Sequence, residues 1–198
     1  GEFKDKKTLT LNLENLDEGT HTLEITGKNS HGDAVREVYT FGVDTEGPRL
    51  LISSPVSGEF FDSTTGNVKI TGVTDEDTEL VITDKDTGAV YGNYKAVPVD
   101  ASGVFEADIT ADKTGVSHSI VLTAKDRVGN VTEKEIQLIS DAMGMVESVD
   151  IYSEDMLISD KVISAGATYP LKMAANLKDG NKIDITNSNL VEWNQSTI

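Results

Sequence analysis

The sequence contains no cysteine, so disulfide bonds and cysteine-based metal centres are excluded. Aromatic residues make up only 6% of the chain, so any core must be built mainly from aliphatic side chains. No run of about 18 apolar residues occurs, so no membrane-spanning helix is predicted. Hydrophobic residues still account for 37% of the 198 positions, which indicates a folded chain rather than a disordered one.

Basic residues are scarce as well. The chain has 17 Lys and Arg against 34 Asp and Glu, a net charge of −17. Nucleic acids and anionic lipids are bound by Lys and Arg that replace counterions, so the balance predicts no nucleic-acid partner and no membrane insertion. The excess of acidic residues has two interpretations. The carboxylates are either a solvated surface without a ligand, or they attract cations where several of them converge.

Apolar residues alternate with polar ones in short runs separated by glycine-containing turns. This period of two is typical of antiparallel sheets with one buried face, and no long stretch has helical periodicity. An all-β fold is therefore predicted. The alternating runs cover residues 9–13, 23–25, 39–43, 68–70, 80–82, 105–109, 120–122 and 136–138.

One segment occurs twice. Residues 20–33 read THTLEITGKNSHGD and residues 117–130 read SHSIVLTAKDRVGN, so His118 lies 97 residues after His21. Each copy contains a strand and a turn closed by Gly32 or Gly129, where we expect positive φ, and then a second alternating strand. The interval is close to the length of one immunoglobulin-like (Ig-like) sandwich, about 100 residues. We interpret the repeat as the last hairpin of two successive domains.

Three parts follow from this repeat. Residues 1–45 are predicted to be the C-terminal part of an Ig-like domain, residues 46–143 a complete sandwich, and residues 144–198 the N-terminal part of a third. The fold class is thus tandem immunoglobulin-like (Ig or fibronectin-III-like) β-sandwiches, one complete and two partial. Pro48 predicts a stiff first joint. The second joint has no proline, so we expect it to be looser, and in the last part we expect a final strand with Trp193 in the core.

The linker VDTEGP, the opening PVSGEFF and the turn LTAKDRVGN resemble the tandem bacterial Ig-like domains of secreted and cell-wall proteins. In that family the last hairpin carries an Ala-x-Asp-x-x-Gly-Asn turn, which Ala124, Asp126, Gly129 and Asn130 fill here. The first copy departs from it with Gly27, Asn29, Gly32 and Asp33. The last part resembles the group 2 (intimin/invasin-like) modules, without their later strands. The positions that match are Val146, Ser148, Val149, Ile151, Gly166, Thr168, Asp179, Gly180, Val191 and Trp193.

The resemblance implies a non-catalytic spacer or adhesive segment of a large modular protein. We expect it outside the cell, at the surface or wall of a Gram-positive bacterium. Neighbouring modules of the same chain are implied partners, as are cell-wall or host glycans and proteins. The alternative is an accessory region of a secreted enzyme, either a polysaccharide-degrading enzyme or a subtilisin-like cell-envelope protease. These motifs mark a fold rather than an activity.

Catalytic motifs are absent from the sequence. Neither a Gly-x-Ser-x-Gly elbow nor an HExxH pair occurs, and two of the three histidines occupy equivalent repeat positions. We therefore predict no enzyme activity and no required cofactor.

Acidic turns are the best candidates for chemistry, because calcium binds several carboxylate and carbonyl oxygens. Solvated turns in which Asp bonds its own backbone are the alternative. The stretch TDKDTG resembles the start of an EF-hand loop, but Lys95 occupies the twelfth position from Asp84, where a Glu is required, so that motif is rejected. The candidate calcium ligands are Asp44, Glu46, Asp75, Asp77, Asp126 and Asn130.

Exposed aromatic rings are candidates for carbohydrate binding. Tyr91 and Tyr94 are the predicted ligand-binding residues. The adjacent Phe60 and Phe61 are expected to face opposite sides of one strand.

Overall fold

The computed structural model describes residues 10–92, 96–142, 144–188 and 191–194. Regular structure in these ranges is β-strand apart from a 3₁₀ turn at Ile158–Asp160, which confirms the all-β prediction. No helix in the same ranges is long and apolar enough to cross a membrane. The strands are Gly19–Lys28 (β1), Ala34–Val43 (β2), Leu50–Ser54 (β3), Glu59–Phe61 (β4), Asn67–Thr74 (β5), Glu79–Asp84 (β6), Val104–Thr110 (β7), Ser117–Lys125 (β8), Val131–Ser140 (β9), Val146–Ser153 (β10), Met156–Leu157 (β11), Lys172–Leu177 (β12) and Lys182–Asp184 (β13).

The chain divides into two compact units, Gly1–Glu46 and Gly47–Ile198. In the first unit, β1 and β2 form an antiparallel hairpin with His21 opposite Phe41. In the second unit, β8 and β9 pair in the same register, with His118 opposite Leu138. Gly32 (φ 92°) and Gly129 (φ 103°) close the two turns with positive φ, as predicted. The repeat in the sequence is therefore a repeat of strand register and turn.

The predicted strand at residues 9–13 is not formed over its described part, residues 10–13. Leu9 lies outside the described residues, and Leu11 and Leu13 are about half exposed, at 53% and 48%. Alternation produces a strand only where a neighbouring strand supplies hydrogen-bond partners. None pairs with residues 10–18 in the described part of the first unit.

The middle sandwich packs two sheets, of strand orders β3-β5-β7 and β4-β9-β8-β6. These orders match the A-B-E and G-F-C arrangements of an immunoglobulin-like fold, with β4 parallel to β9 at the sheet edge. The core is built from alternating inward positions, of which Ile70, Leu122 and Phe105 are almost fully buried. Gly72 in β5 has no room for a side chain, because an added Cβ would clash with the Leu51 carbonyl oxygen.

The last part forms one sheet of order β11-β10-β12-β13. Turns occur where the sequence predicts them, with Gly166 at φ 80° and Gly180 at φ 85°. The predicted final strand and the core position of Trp193 are wrong for the described residues, since 191–194 is irregular and Trp193 is 48% exposed. Its neighbour Val191 packs against the apolar cluster instead.

The joint between the middle sandwich and the last part is tightly packed. Ile139 of β9 is fully buried in a cluster with Leu177 and Ile183, and Phe60 covers one side. Leu138, its neighbour in sequence, belongs to the core of the middle sandwich. The expected looser joint is therefore wrong, because consecutive apolar residues on a strand face opposite sides and each serves a different core.

Phe60 and Phe61 follow the same rule. Phe61 lies in the sandwich core at 4% exposure, while Phe60 is half-buried against the joint cluster. The two rings thus lie on opposite faces of β4, as predicted. The outer face is covered by the last part of the chain.

Candidate functional site

The two repeated turns are held by the same amide–carboxylate contact with the partners exchanged. In the second turn, Asp126 Oδ1 accepts the backbone N–H groups of residues 128–130, and the Asn130 side-chain amide donates to Asp126 Oδ2 at 2.8 Å. In the first turn, the Asn29 amide donates to Asp33 Oδ2 at 2.7 Å. Desolvation raises the pKa of Asp126, but these hydrogen bonds outweigh it and hold that pKa below its ordinary value. The side chains of Asp126 and Asn130 therefore stabilise the turn through these hydrogen bonds.

The carboxylates of the 75–77 turn face arginines. Asp75 Oδ2 accepts the backbone N–H of Arg49 at 2.7 Å, and the Arg49 Nε lies 3.7 Å from Asp75 Oδ1. Asp77 pairs with Arg127, which follows Asp126 in the repeated turn. Three predicted calcium ligands, Asp75, Asp77 and Asp126, therefore lie at one end of the sandwich. The cations Arg49 and Arg127 lie beside them and compete with calcium for the carboxylates.

The remaining calcium candidates lie in the first unit. Asp44 Oδ1 accepts the backbone N–H of Glu46 at 3.3 Å, and Thr45 donates to Glu18. Across the described ranges, no group of three or more His, Asp or Glu side chains is placed to hold one metal ion. Calcium binding at these residues stays a prediction.

A cavity of about 470 Å³ opens beside Tyr91 at the other end of the middle sandwich. Asp84 ends β6, and its Oδ1 accepts the N–H and hydroxyl of Thr87 at 2.8 and 2.7 Å. The Tyr91 hydroxyl donates to Asp84 Oδ2 at 2.9 Å. Across the cavity, Asp112 Oδ1 accepts the N–H and hydroxyl of Thr114 at 2.9 and 2.8 Å. Turn chemistry thus sets the direction of both carboxylates.

The carboxylates of Asp84, Asp86 and Asp112 lie along this cavity and influence its tyrosine. Burial raises the pKa of Tyr91, and the hydrogen bond to Asp84 and the charges of Asp84, Asp112 and Asp86 raise it further. Burial also raises the pKa of Asp84, but hydrogen bonds from Thr87 and Tyr91 outweigh it, so that pKa lies below its ordinary value. The hydroxyl of Tyr91 therefore stays protonated as a donor and Asp84 stays ionised.

His118 forms part of the cavity lining and is 7% exposed. Its ring packs edge-on against Phe61, with centroids 5.4 Å apart. The Nε2 atom is buried and makes no hydrogen bond with the described residues. Gly115 lies over it, and an added Cβ there would come within 2.9 Å of Nε2.

Of the two tyrosines predicted to bind a ligand, only one lies in the described part of the structure. Tyr91 lines the cavity with its ring packed against the sandwich core, whereas Tyr94 lies outside the described residues. Glycan binding through them stays a prediction. Sequence reasoning assigned no site to Asp112 or His118. The signal available was the Asp-x-Thr pattern shared by residues 62–64 and 112–114, which orients a carboxylate by its own turn.

No protein-family model and no curated protein matches the chain. A solved structure of Dpr1 IG1 bound to DIP-eta IG1 is 11% identical, with 47% of this chain and 94% of that chain covered and a TM-score of 0.34. A structure of a tetra-tandem repeat in the extending region of a large adhesion protein is 21% identical, with a TM-score of 0.36. That match covers 89% of this chain and 47% of the adhesion-protein chain. With both scores this low, the immunoglobulin-like assignment rests on the sheet order described above.

Proposed function

We propose that this chain is a non-catalytic spacer or adhesive segment of a large modular extracellular bacterial protein. Residues 1–45, 46–143 and 144–198 are then three Ig-like modules in series, the last of the group 2 type. A Gram-positive surface or wall is the proposed location, with neighbouring modules and cell-wall or host glycans or proteins as partners.

One observation carries the proposal: the chain enters and leaves the middle sandwich at opposite ends. Gly47 lies against Val131 and Thr132, where β9 begins. The last part of the chain packs on Ile139, where β9 ends. The nine residues of β8, antiparallel to β9, cover about 26 Å between those ends. A module with this arrangement adds length to an array.

The packed joint supports the same proposal. Ser117 of the sandwich donates to Asp179 at 3.2 Å, and Asn181 donates back to the Ser117 oxygen at 3.3 Å. Together with the buried cluster around Ile139, these contacts restrict bending between the two modules. Restricted bending suits a spacer, because the stiffness of its joints sets its reach.

Exchange of this segment in its parent protein tests the proposal. Residues 46–188 would be replaced by an unrelated pair of sandwiches of equal length, and display of a distal epitope and binding to cells would be measured. We expect display to be unchanged, with binding unchanged for a spacer and lost for an adhesive segment. Loss of turnover on a polymeric substrate, with small-substrate turnover intact, would instead support the accessory-enzyme alternative and contradict the proposal.

A further inference from the structure

We propose that one face of the β1–β2 hairpin is a docking surface for an apolar β-sheet that precedes the hairpin in the parent chain. This inward face is defined by Leu23 and Ile25 of β1 and by Tyr39 and Phe41 of β2, which lie on the same side of the paired strands. The inference rests on the modular parent protein proposed above, and it identifies the partner that the first module requires.

The internal repeat shows what covers such a face. In the β8–β9 hairpin, Leu122 and Ile136 occupy the positions of Ile25 and Tyr39. They are 0% and 4% exposed, because residues of β5 and β7 pack against them in the sandwich core. In the first hairpin the equivalent side chains are open, with Ile25 43% and Tyr39 54% exposed. The apolar face is therefore present twice, and one copy has its covering sheet.

The first unit has no core of its own among the residues that the structure describes. None of residues 10–46 is buried, and neither of the two buried apolar clusters includes any of them. A two-stranded hairpin without a covering layer is only marginally stable in water. The inward face thus has the side chains of a sandwich core, and a second apolar sheet is the partner that would bury them.

The stretch LNL at residues 11–13 fits one strand of that covering sheet. When the two copies are aligned on Gly19 and Gly115, which precede the repeated histidines, residues 11–13 fall on residues 107–109 of β7. The two leucines then match the two buried positions of that part of β7. A strand forms where a neighbour supplies hydrogen-bond partners, and β5 is the neighbour of β7 in the sandwich. Residues 11–13 are therefore expected to become a strand when the sheet docks.

The edges of the hairpin fit the same partner. In the middle sandwich, β4 pairs in parallel with β9 along Leu138–Ser140, and β6 pairs with the outer edge of β8. The equivalent stretch of β2 is Phe41–Val43, and the described part of the first unit holds no third strand to pair with either edge. Such edges accept further strands through their backbone groups. The strands β3 to β7 precede the hairpin in the middle sandwich, so we expect the occupant to precede the first hairpin as well.

A second copy of the chain fits this surface less well. Each copy carries a net charge of −17, so association brings like charges together. The β3-β5-β7 sheet of a second copy already covers its own β8–β9 hairpin, so its apolar face is not available. A sheet from the same polypeptide also docks without the entropy cost of bringing two molecules together.

Hydrogen exchange tests the assignment. The 198-residue chain is compared with the same chain extended at its N-terminus by the parent's own residues, as many as separate β3 from β7. We expect protection of β1, β2 and residues 11–13 to rise at least about tenfold on extension, with β12 unchanged. Unchanged protection, a parent without such residues, or the same protection in a dimer of the 198-residue chain detected by sedimentation would each overturn the proposal.

Two matched variants locate the docking face. Ile25 and Val38 are similarly exposed, at 43% and 49%, but lie on opposite faces of the hairpin. In the extended chain, I25A is expected to lower protection of β1 and β2 about thirtyfold, because it removes a side chain that docking buries. V38A should stay within about twofold, and in the 198-residue chain both variants should do so. Equal effects of I25A and V38A in the extended chain would contradict the proposed face.

The result is independent of the test of the spacer role. Exchange of residues 46–188 leaves the first hairpin in place, so that experiment reports on the later modules alone. A spacer role without increased protection of the hairpin would overturn the docking surface and leave the proposed function intact. Increased protection without the expected display result would do the reverse.

Discussion

Single Asp side chains in this protein are held by the residues that follow them. Asp62 accepts hydrogen bonds from Thr64 and Thr65, and Asp100 accepts the N–H groups of Ser102 and Val104. Asp84, Asp112 and Asp126 do the same in their own turns. These Asp residues therefore have a structural role, because their carboxylates accept hydrogen bonds from the residues that follow them in the turn.

Asp62 gives this arrangement a pH dependence. The hydroxyl and N–H of Thr64, with Thr65, lower the pKa of Asp62 from 3.8 to about 2. A pKa lower in the folded than in the unfolded state stabilises the fold above about pH 4, and the contribution is lost as pH falls through about 2. In the double variant T64V/T65V the pKa of Asp62 is expected to rise, because two donors are removed. Carboxyl NMR titration of both proteins measures this, and a wild-type pKa near 3.8 would contradict it.

At the scale of elements, the two repeated hairpins show how a turn tolerates sequence change. Asn29 and Asp33 stand where Asp126 and Asn130 stand in the second copy. The amide–carboxylate contact persists in both, although donor and acceptor have changed places. The difference between the first and second copies at these two positions is thus a compensated exchange.

This exchange predicts a double-mutant cycle in the second hairpin. N130D alone places two carboxylates in contact, and we expect it to lower the free energy of unfolding by about 1–2 kcal/mol. The double variant D126N/N130D recreates the order of the first hairpin and is expected to recover most of that loss. The coupling energy is obtained from urea unfolding of the wild type, the single variants D126N and N130D, and the double variant. A coupling near zero would show that the contact is not stabilising.

At the scale of the whole molecule, the shared cluster makes the middle sandwich and the last module one unit. Phe60 and Val116 from the sandwich meet Leu177 and Ile183 from the last module around Ile139. Clusters of this kind couple the unfolding of neighbouring modules, because each exposes apolar surface when the other unfolds.

I139A tests that coupling. Removing a fully buried side chain is expected to cost about 2–5 kcal/mol, and protection from hydrogen exchange should fall together in β5 and β12. V128A, at a residue 66% exposed, serves as the control and should change stability by less than about 0.5 kcal/mol. Loss of protection confined to β12 would show that the modules unfold independently.

Calcium binding would also be measurable at this scale, since a ligand that binds only the folded state raises the unfolding midpoint. If the predicted carboxylates bind calcium, we expect a higher midpoint in millimolar calcium than in chelator, although Arg49 and Arg127 compete for Asp75 and Asp77. Differential scanning calorimetry under the two conditions measures it. A higher midpoint in calcium would support the acidic turns as ligands.

Local patterns in the sequence predict this structure well, and contacts between elements are predicted poorly. Alternation and the repeat indicate the strands and the common register of both hairpins, because these depend on side-chain period and turn chemistry. The packed joint depends on Ile139 meeting Leu177, which no local pattern contains. Tyr91 was predicted as an exposed ring, but its contact with Asp84 and its place beside His118 follow from the packing of separate strands.

The parallel pairing of β4 with β9 determines how the sandwich would bear tension. β4 lies near the start of the module and β9 at its end, with Glu59 opposite Leu138 and Phe61 opposite Ser140. Pulling the two ends apart draws these strands in opposite directions along their length. The hydrogen bonds between them are then loaded together in shear rather than broken one at a time. The same pair connects the sandwich core to the cluster shared with the last part of the chain, so a load on these strands also reaches that part.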